Sequence, residues 1–277
     1  MSVIAIARGT FSAALKLSKY IADELDFRLV TREEVYDAAI IYGIKETGLG
    51  KISIVDQKPP SLLHRFSEKR RQYLACFQTA LMDFALHDNL IYVGHLAHLL
   101  LSDYRPVFRI RLAATDKYRI NKLREERELS YEEAKHLIDD IDERRLKWGQ
   151  FLYGVDWRDP VLYDLVINPE KFTLESAGKL ILAAAKSLDL KPTHQDIEVL
   201  KNLRLQSVVQ LAIWASPRTK GFQGNIQADA IAGEVRVYGK APNMYTETWE
   251  KDLRKVISKV EDVKNIVITL SPTQVVE

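Results

Sequence analysis

The stretch Val3-Ile-Ala-Ile-Ala-Arg-Gly-Thr-Phe-Ser-Ala-Ala-Leu-Lys-Leu-Ser-Lys-Tyr-Ile-Ala-Asp-Glu-Leu25 decides the fold. Val3 to Ala7 is a short continuous apolar run, which suits a strand buried on both faces, as in a parallel sheet. A polar turn follows at once. From Ser12 onward Leu15, Leu17, Tyr20, Ile21 and Leu25 fall at helical spacing, so the order is strand, tight turn, helix.

The same alternation continues outward from that unit. Phe27 to Val30 reads as a second strand and Arg32 to Ile44 as a helix stopped near Gly48-Leu-Gly50. Residues 51–62, with Pro59-Pro60-Ser61, read as a loop over the surface. Ser67 to His87 is helical, with Tyr73, Leu74, Phe77, Leu81 and Phe84 on one face, and Leu90 to Val93 is a third strand ending at Gly94-His95. Val107 to Ala113 is a fourth strand, whose alternation puts Arg109 and Arg111 on one face. The charged stretch Asp116 to Gln150 reads as two helices broken around Leu129-Ser130, because Ser130 and Glu133 make a capping-box signature inside it. Tyr163 to Asn168 is a fifth strand, with a helix from Thr173 to Ser187 after it. Strands and helices alternating to this extent predict a doubly wound parallel five-stranded sheet of the α/β class.

A different rhythm begins after residues 188–194, which contain Pro192 and read as a linker between a domain at 1–187 and a second at 195–277. A helix from Gln195 to about Ser216 is followed by strands Gly224 to Ile231 and Glu234 to Tyr238, turning through Ala232-Gly233. A helix Thr246 to Val260 and a strand Asn265 to Leu270 complete a small αββαβ, or α+β, unit. Trp214, Phe222, Tyr238 and Trp249 are expected in its core and rim.

Composition narrows the function. The chain has 277 residues, with 40 Lys+Arg against 38 Asp+Glu, a net charge of +2, and one Cys. Near-neutrality removes the bulk attraction of a dedicated nucleic-acid binder or polybasic membrane protein. The single Cys76 excludes an internal disulfide and a cysteine-cluster metal site, and the six His residues show no ligand spacing, so no metal site is expected within the protein itself. The apolar run before Arg8 is too short for a membrane span or signal peptide, and a cytoplasmic setting is expected.

Several pieces in order carry a family resemblance: Ile6-Ala-Arg8, Ser12-Ala-Ala14, Ala22-Asp-Glu-Leu25, Val30-Thr-Arg-Glu33, Val93-Gly94, Leu129-Ser-Tyr-Glu-Glu-Ala134, Asp142-Glu-Arg-Arg145, Tyr153-Gly-Val-Asp-Trp157 and Tyr163-Asp-Leu-Val-Ile-Asn168. Over roughly residues 2–187 the chain resembles the cytidylate kinase-like family of P-loop nucleoside-monophosphate kinases. The resemblance implies that family's sheet, a helical lid over the phosphates, ATP with Mg²⁺ as cofactors, and a nucleotide or small phosphorylated molecule as partner. It also implies sites. Arg8, Gly9, Thr10, Ser12, Ala13 and Ala14 fall on the phosphate loop, with Arg119 and Arg124 of the lid beside them. Thr31, Arg32, Gly94 and His95 fall on the acceptor side, and Asp142, Arg145 and Lys16 on the catalytic charges.

The residues depart from the family at the loop. Where the family usually reads like Ser-Arg-x-x-Gly-Ser-Gly-Gly-Arg, this chain has Phe11, Ala13 and Ala14 for three glycines and Leu15 for the basic residue. Such glycines let the backbone approach phosphate, and Ala disfavours positive φ. Lys16 and Lys51 are the candidates for a replacement cation. Thr31 stands where the family commonly has Asp, and His95 where it often has Arg, whose bidentate fork His lacks. In the lid, Glu125, Glu126, Glu128, Asp139 and Glu143 interleave with the basic residues, so a salt-bridged helix pair is as good an account as a phosphate clamp. Asp164 and Asn168 are read as caps of the fifth strand, Trp157 as cleft or core, and Cys76 as an inert buried thiol.

The C-terminal unit weakly resembles a BON-type module, on Ser216-Pro-Arg-Thr219, Gly233-Glu-Val-Arg-Val-Tyr-Gly239 and Val263-Lys-Asn-Ile-Val267. That resemblance implies contact with a ligand, a lipid or a protein partner, while a generic α+β accessory or dimerisation domain, and so a homo-oligomer, is an equally good account. Two functions stay open: an ATP-dependent kinase acting on CMP or another small phosphate-bearing acceptor, and a catalytically impaired kinase-fold scaffold responding to nucleotide or ligand through its C-terminal module.

Overall fold

Apolar runs bounded by turn residues give five short strands, and each is followed by a helix. The structure, a computed structural model, describes residues 2–8, 14–43, 64–94, 96–101, 104–188, 190–222, 226–242 and 245–273. The elements in order are β1 (Val3–Arg8), α1 (Ala14–Leu25), β2 (Arg28–Thr31), α2 (Arg32–Ala39), α3 (His64–His87), β3 (Leu90–Gly94), α4 (Ala97–Leu100), β4 (Val107–Leu112), α5 (Asp116–Arg127), α6 (Tyr131–Tyr153), β5 (Leu165–Ile167) and α7 (Leu174–Ser187). The strands form one all-parallel sheet ordered β2-β3-β1-β4-β5. The predicted stop near Gly48-Leu-Gly50 and the loop at 51–62 lie outside the described residues.

Strand alternation divides this sheet into two chemically different faces. Ile4, Ile6, Ile91, Val93, Phe108, Ile110 and Leu112 pack with Ala14, Leu17 and Ile21 of α1 and Ala177, Ile181 and Leu182 of α7. There α7 comes so close to α1 that a Cβ on Gly178 would stand 2.4 Å from the Tyr20 ring. The opposite face carries Ala5, Ala7, Tyr92, Arg109 and Arg111 by the same alternation, and α4 packs on β1, β3 and β4. A smaller cluster of Leu96, Leu99, Trp148 and Trp157 is separate from the main core, so Trp157 is a core residue.

Several boundaries moved. α2 ends at Ala39 and continues as a 3-10 turn, Ile40–Tyr42, stopped by Gly43 in the left-handed region at φ 99°. The fifth strand keeps only Leu165–Ile167, because Asp159 caps a 3-10 turn at Pro160–Leu162 and Tyr163 closes it. Sequence periodicity also missed α4, which has a single turn.

The C-terminal segment forms α8 (His194–Ala215), a 3-10 turn Lys220–Phe222, β6 (Ile226–Ile231), β7 (Glu234–Pro242), α9 (Thr246–Ile257) and β8 (Asn265–Thr273). β6 and β7 are an antiparallel hairpin turning through Ala232 (φ 52°) and Gly233 (φ 89°), as a type I′ turn requires. β8 pairs parallel to β7 after the α9 crossover, giving a three-stranded sheet. Phe222 and Trp249 stack at 3.7 Å in its core, while Tyr238 is exposed on the rim.

By compactness the chain divides into two units: the described parts of Met1–Val35 and His87–Thr193, and those of Tyr36–Glu46, Leu62–Leu86 and His194–Glu277. The second unit joins the segment from His194 onward to the end of α2, the 3-10 turn after it and nearly all of the described part of α3. The reason is polar as well as apolar. Thr79 and Ser207 share a hydrogen bond of 2.6 Å between α3 and α8, and Asp83 of α3 takes both the Arg204 guanidinium and the Tyr42 hydroxyl. Cys76, buried in the same unit, donates to the Tyr42 carbonyl at 3.1 Å, and burial pushes its thiol up to about 11, as an inert thiol should be. No described helix is long and apolar enough to cross a membrane.

Candidate functional site

In a parallel sheet all strands end on one edge, and ligands of open α/β sheets sit outside those carboxyl ends. Here the edge is formed by Arg8, Thr31, Gly94, Leu112 and Ile167. Register sets Gly94 beside Ala7 on one side and Arg111 beside Ala7 on the other, with Thr31 next to Val93. Arg8, Thr31 and Gly94, chosen from sequence, are thus brought to adjacent strand ends. A Cβ on Gly94 would stand 2.3 Å from the Tyr92 hydroxyl oxygen, so this position excludes other residues for packing alone. Gly9, Thr10, Ser12, Ala13 and His95, Lys51 and the side chain of Arg8 lie outside what is described. Ala14 is fully buried at the start of α1, whereas Leu15 is 50% exposed and Lys16 also faces solvent.

The acceptor-side residues carry local duties. Thr31 caps α2: its amide and hydroxyl donate to Glu34 Oε2 at 2.8 and 3.0 Å, and its Oγ1 accepts from the Glu34 amide at 3.3 Å. Arg32, the first residue of α2, is mostly buried and pairs with Glu33 at 3.8 Å.

The lid-like pair is built as the sequence predicts. Thr115 caps α5, Glu128 ends it in the left-handed region at φ 54°, and Ser130 with Glu133 makes both hydrogen bonds of a capping box at the start of α6. Ile120, Leu123, Ala134 and Ile138 close the helices on each other. At the base of the pair, Arg119 donates Nη1 to Asp142 Oδ2 at 2.6 Å and Nη2 to Oδ1 at 2.8 Å, and reaches Asp116 at 3.2 Å. This bidentate geometry fixes the guanidinium plane. Arg145, one turn beyond Asp142, is only 8% exposed. Arg124 is exposed on the last turn of α5, apart from this group. Arg144 with Asp140 (2.6 Å) and Lys147 with Glu143 are ordinary pairs along α6.

Sequence reasoning did not assign the cluster on the polar face of the sheet. Arg111 lies 5.0 Å over the Trp157 ring and 5.7 Å from that of Tyr163, and its Nη1 donates to the Arg158 carbonyl. Arg109 pairs with Asp164 at 3.4 Å, while Asp164 also accepts the Arg109 amide at 2.7 Å, the capping role expected of it. Asn168 likewise accepts the Glu170 amide at 2.9 Å beyond the strand. Tyr163 donates its hydroxyl to the Trp157 carbonyl at 2.6 Å. His98, 1% exposed, lies 4.3 Å from the Tyr163 ring, and burial, with repulsion from Arg109 and Arg111, drives it down to about 3. Alternation gave the shared face of Arg109 and Arg111 in sequence, but nothing local told which neighbours that face would meet.

A five-stranded sheet of this order, with a helical lid inserted after β4, defines a P-loop kinase-type domain followed by a small α+β unit. Residues 3–171 match the Cytidylate kinase-like family, and the chain belongs to that family. A cytidylate kinase of Saccharolobus islandicus is 26% identical over 186 residues, covering 66% of this chain and 88% of the relative. One from Thermoplasma volcanium is 29% identical over 109 residues, 39% of this chain and 57% of its own. Among solved structures, an uncharacterized protein from Eubacterium ventriosum superposes with a TM-score of 0.52 at 20% identity, over 68% of this chain and 99% of that one, which supports the fold alone.

Proposed function

We propose that this chain is an ATP-dependent phosphotransferase acting on CMP or another small phosphate-bearing acceptor. The observation that carries the reading is the Arg119–Asp142 fork with Arg145 one turn beyond it, at the base of the lid in a chain of this family. Phosphoryl transfer needs positioned cations more than covalent chemistry. Asp142 positions Arg119, Arg145 supplies charge, and Arg32 stands just past the end of β2 to hold a phosphate oxygen. This donor set fits a polyphosphate. ATP supplies the transferred group when bound. Mg²⁺ keeps several waters and is held largely by nucleotide phosphates, so it requires no carboxylate cage in the protein. Among the described residues no group of three His, Cys, Asp or Glu side chains could hold a metal.

A second reading, a nucleotide-responsive scaffold working through the BON-like C-terminal module, is supported by the loop. Between Arg8 and Lys16 the sequence has no Lys or Arg, and Lys16 faces solvent on α1. Calorimetric titration with ATP·Mg²⁺ and CMP, followed by turnover over a nucleotide panel, separates the two. Failure of both to bind at millimolar concentration overturns the kinase reading. Tight ATP binding without turnover of any acceptor favours the scaffold.

A further inference from the structure

Among the described residues Arg111 has no carboxylate in ion-pair contact, and Asp142 and Asp156 attract it only from a distance. Three observations fix its place. It pairs in register with Ala7, next to the last residue of β1, so it stands at the carboxyl edge where β1 leads into residues 9–13. Its side chain leaves the sheet on the face opposite Phe108, Ile110 and Leu112. Its guanidinium is held half-buried by the Arg158 carbonyl and the rings of Trp157 and Tyr163.

The charges around it are already engaged. Asp142 gives both oxygens to Arg119, and Asp156 pairs with Arg158 at 2.7 Å. Both attract Arg111 only from a distance, and among the described residues no carboxylate reaches ion-pair contact with it. His98, neutral beneath the cluster, adds no compensation. Desolvation draws the Arg111 pKa below the usual guanidinium value, the sign of a charge removed from water without an equal partner. Holding such a group in place is costly unless an anion completes it.

We propose that Arg111 is a phosphate-binding residue, a fixed guanidinium on β4 that takes a phosphate oxygen at the β1–β4 edge. The inference rests on reading this edge as the nucleotide site. The ligand chemistry is a phosphate monoester or polyphosphate, whose source is the donor or the acceptor nucleotide.

The test titrates the full chain with inorganic pyrophosphate, ATP, CMP and, as the uncharged control, adenosine and cytidine. Arg111→Met keeps the stem over Trp157 and Tyr163 without the charge. It should weaken pyrophosphate and at least one nucleotide by about 10- to 100-fold, the scale of a hydrogen bond to a charged group, and leave the nucleosides unchanged. Arg111→Lys should recover part of the loss, because it restores the charge without the fork. A loss confined to ATP among the nucleotides assigns Arg111 to donor phosphates, and one confined to CMP to the acceptor. Should the Met variant fail to fold, Arg111→Gln takes its place. Wild-type affinity of the folded neutral variant for pyrophosphate and both nucleotides overturns the assignment while the kinase reading stands. Wild-type protein that binds none of the phosphorylated probes overturns both.

Discussion

Replacing His98 with Leu should make the first unit less sensitive to acid without weakening it at neutral pH. His98 is 1% exposed, and neither ring nitrogen has a hydrogen-bond partner among the described residues. A buried polar atom without a partner costs about 1–3 kcal/mol, so an apolar side chain of similar volume should leave stability near pH 7 within about 1 kcal/mol of wild type, or raise it. The acid response follows from the shift to about 3. The unfolded chain takes up the proton near the ordinary value of 6.5, while the folded chain declines it until about 3. Stability associated with neutral His98 is therefore complete above pH 6.5 and is lost as pH falls toward 3. Each pH unit in that window costs about 1.4 kcal/mol, so wild type should lose about 3 kcal/mol more than His98→Leu between about pH 7 and about pH 4.5. Urea unfolding of both proteins at those pH values, followed by circular dichroism, measures the difference and cancels the carboxylates common to both. Parallel pH profiles for the two proteins would refute the account of His98 as a buried neutral base.

Asp83→Ala removes the shared partner of Tyr42 and Arg204 and should destabilise the second unit by about 2 kcal/mol in thermal unfolding, with Asp83→Asn intermediate; equal melting temperatures would show the network to be energetically idle. Arg145→Ala should lower kcat by about 100-fold with little change in ATP affinity, because a cation directed at developing charge acts mainly in the transition state; an equal loss in binding and turnover would assign it to ground-state binding. Leu15→Lys lies at a position 50% exposed, so stability should change by less than about 0.5 kcal/mol. Combined with Ala13→Gly it should raise pyrophosphate affinity in the same titration, and no gain would mean that the loop follows a different path.

Much of the fold was legible because it is encoded at short range. The apolar run Val3–Ala7, the capping box at Ser130 and Glu133, and the Ala232-Gly233 turn each specify their structure within a few residues. The candidate site was legible only in part. Asp142 and Arg145 were singled out through an ordered resemblance, but the partner that Asp142 meets is Arg119, on another helix. Thr31, read as an acceptor residue, spends its hydroxyl on Glu34, a capping signal that was present in the sequence as Thr31-Arg-Glu-Glu34.

By itself, the sequence determined the alternation of strands and helices, the break in the lid and the chemical departure at residues 11–15, all properties of neighbouring residues. Tertiary structure decided which residues met across the chain. It set Arg111 beside Ala7 and against the rings of Trp157 and Tyr163, buried His98 with no hydrogen-bond partner among the described residues, and joined α3 to α8 through Asp83 and Arg204. Periodicity fixes the face on which a side chain lies. The charges and rings that face it come from segments far along the chain, and their burial sets the energies of those contacts.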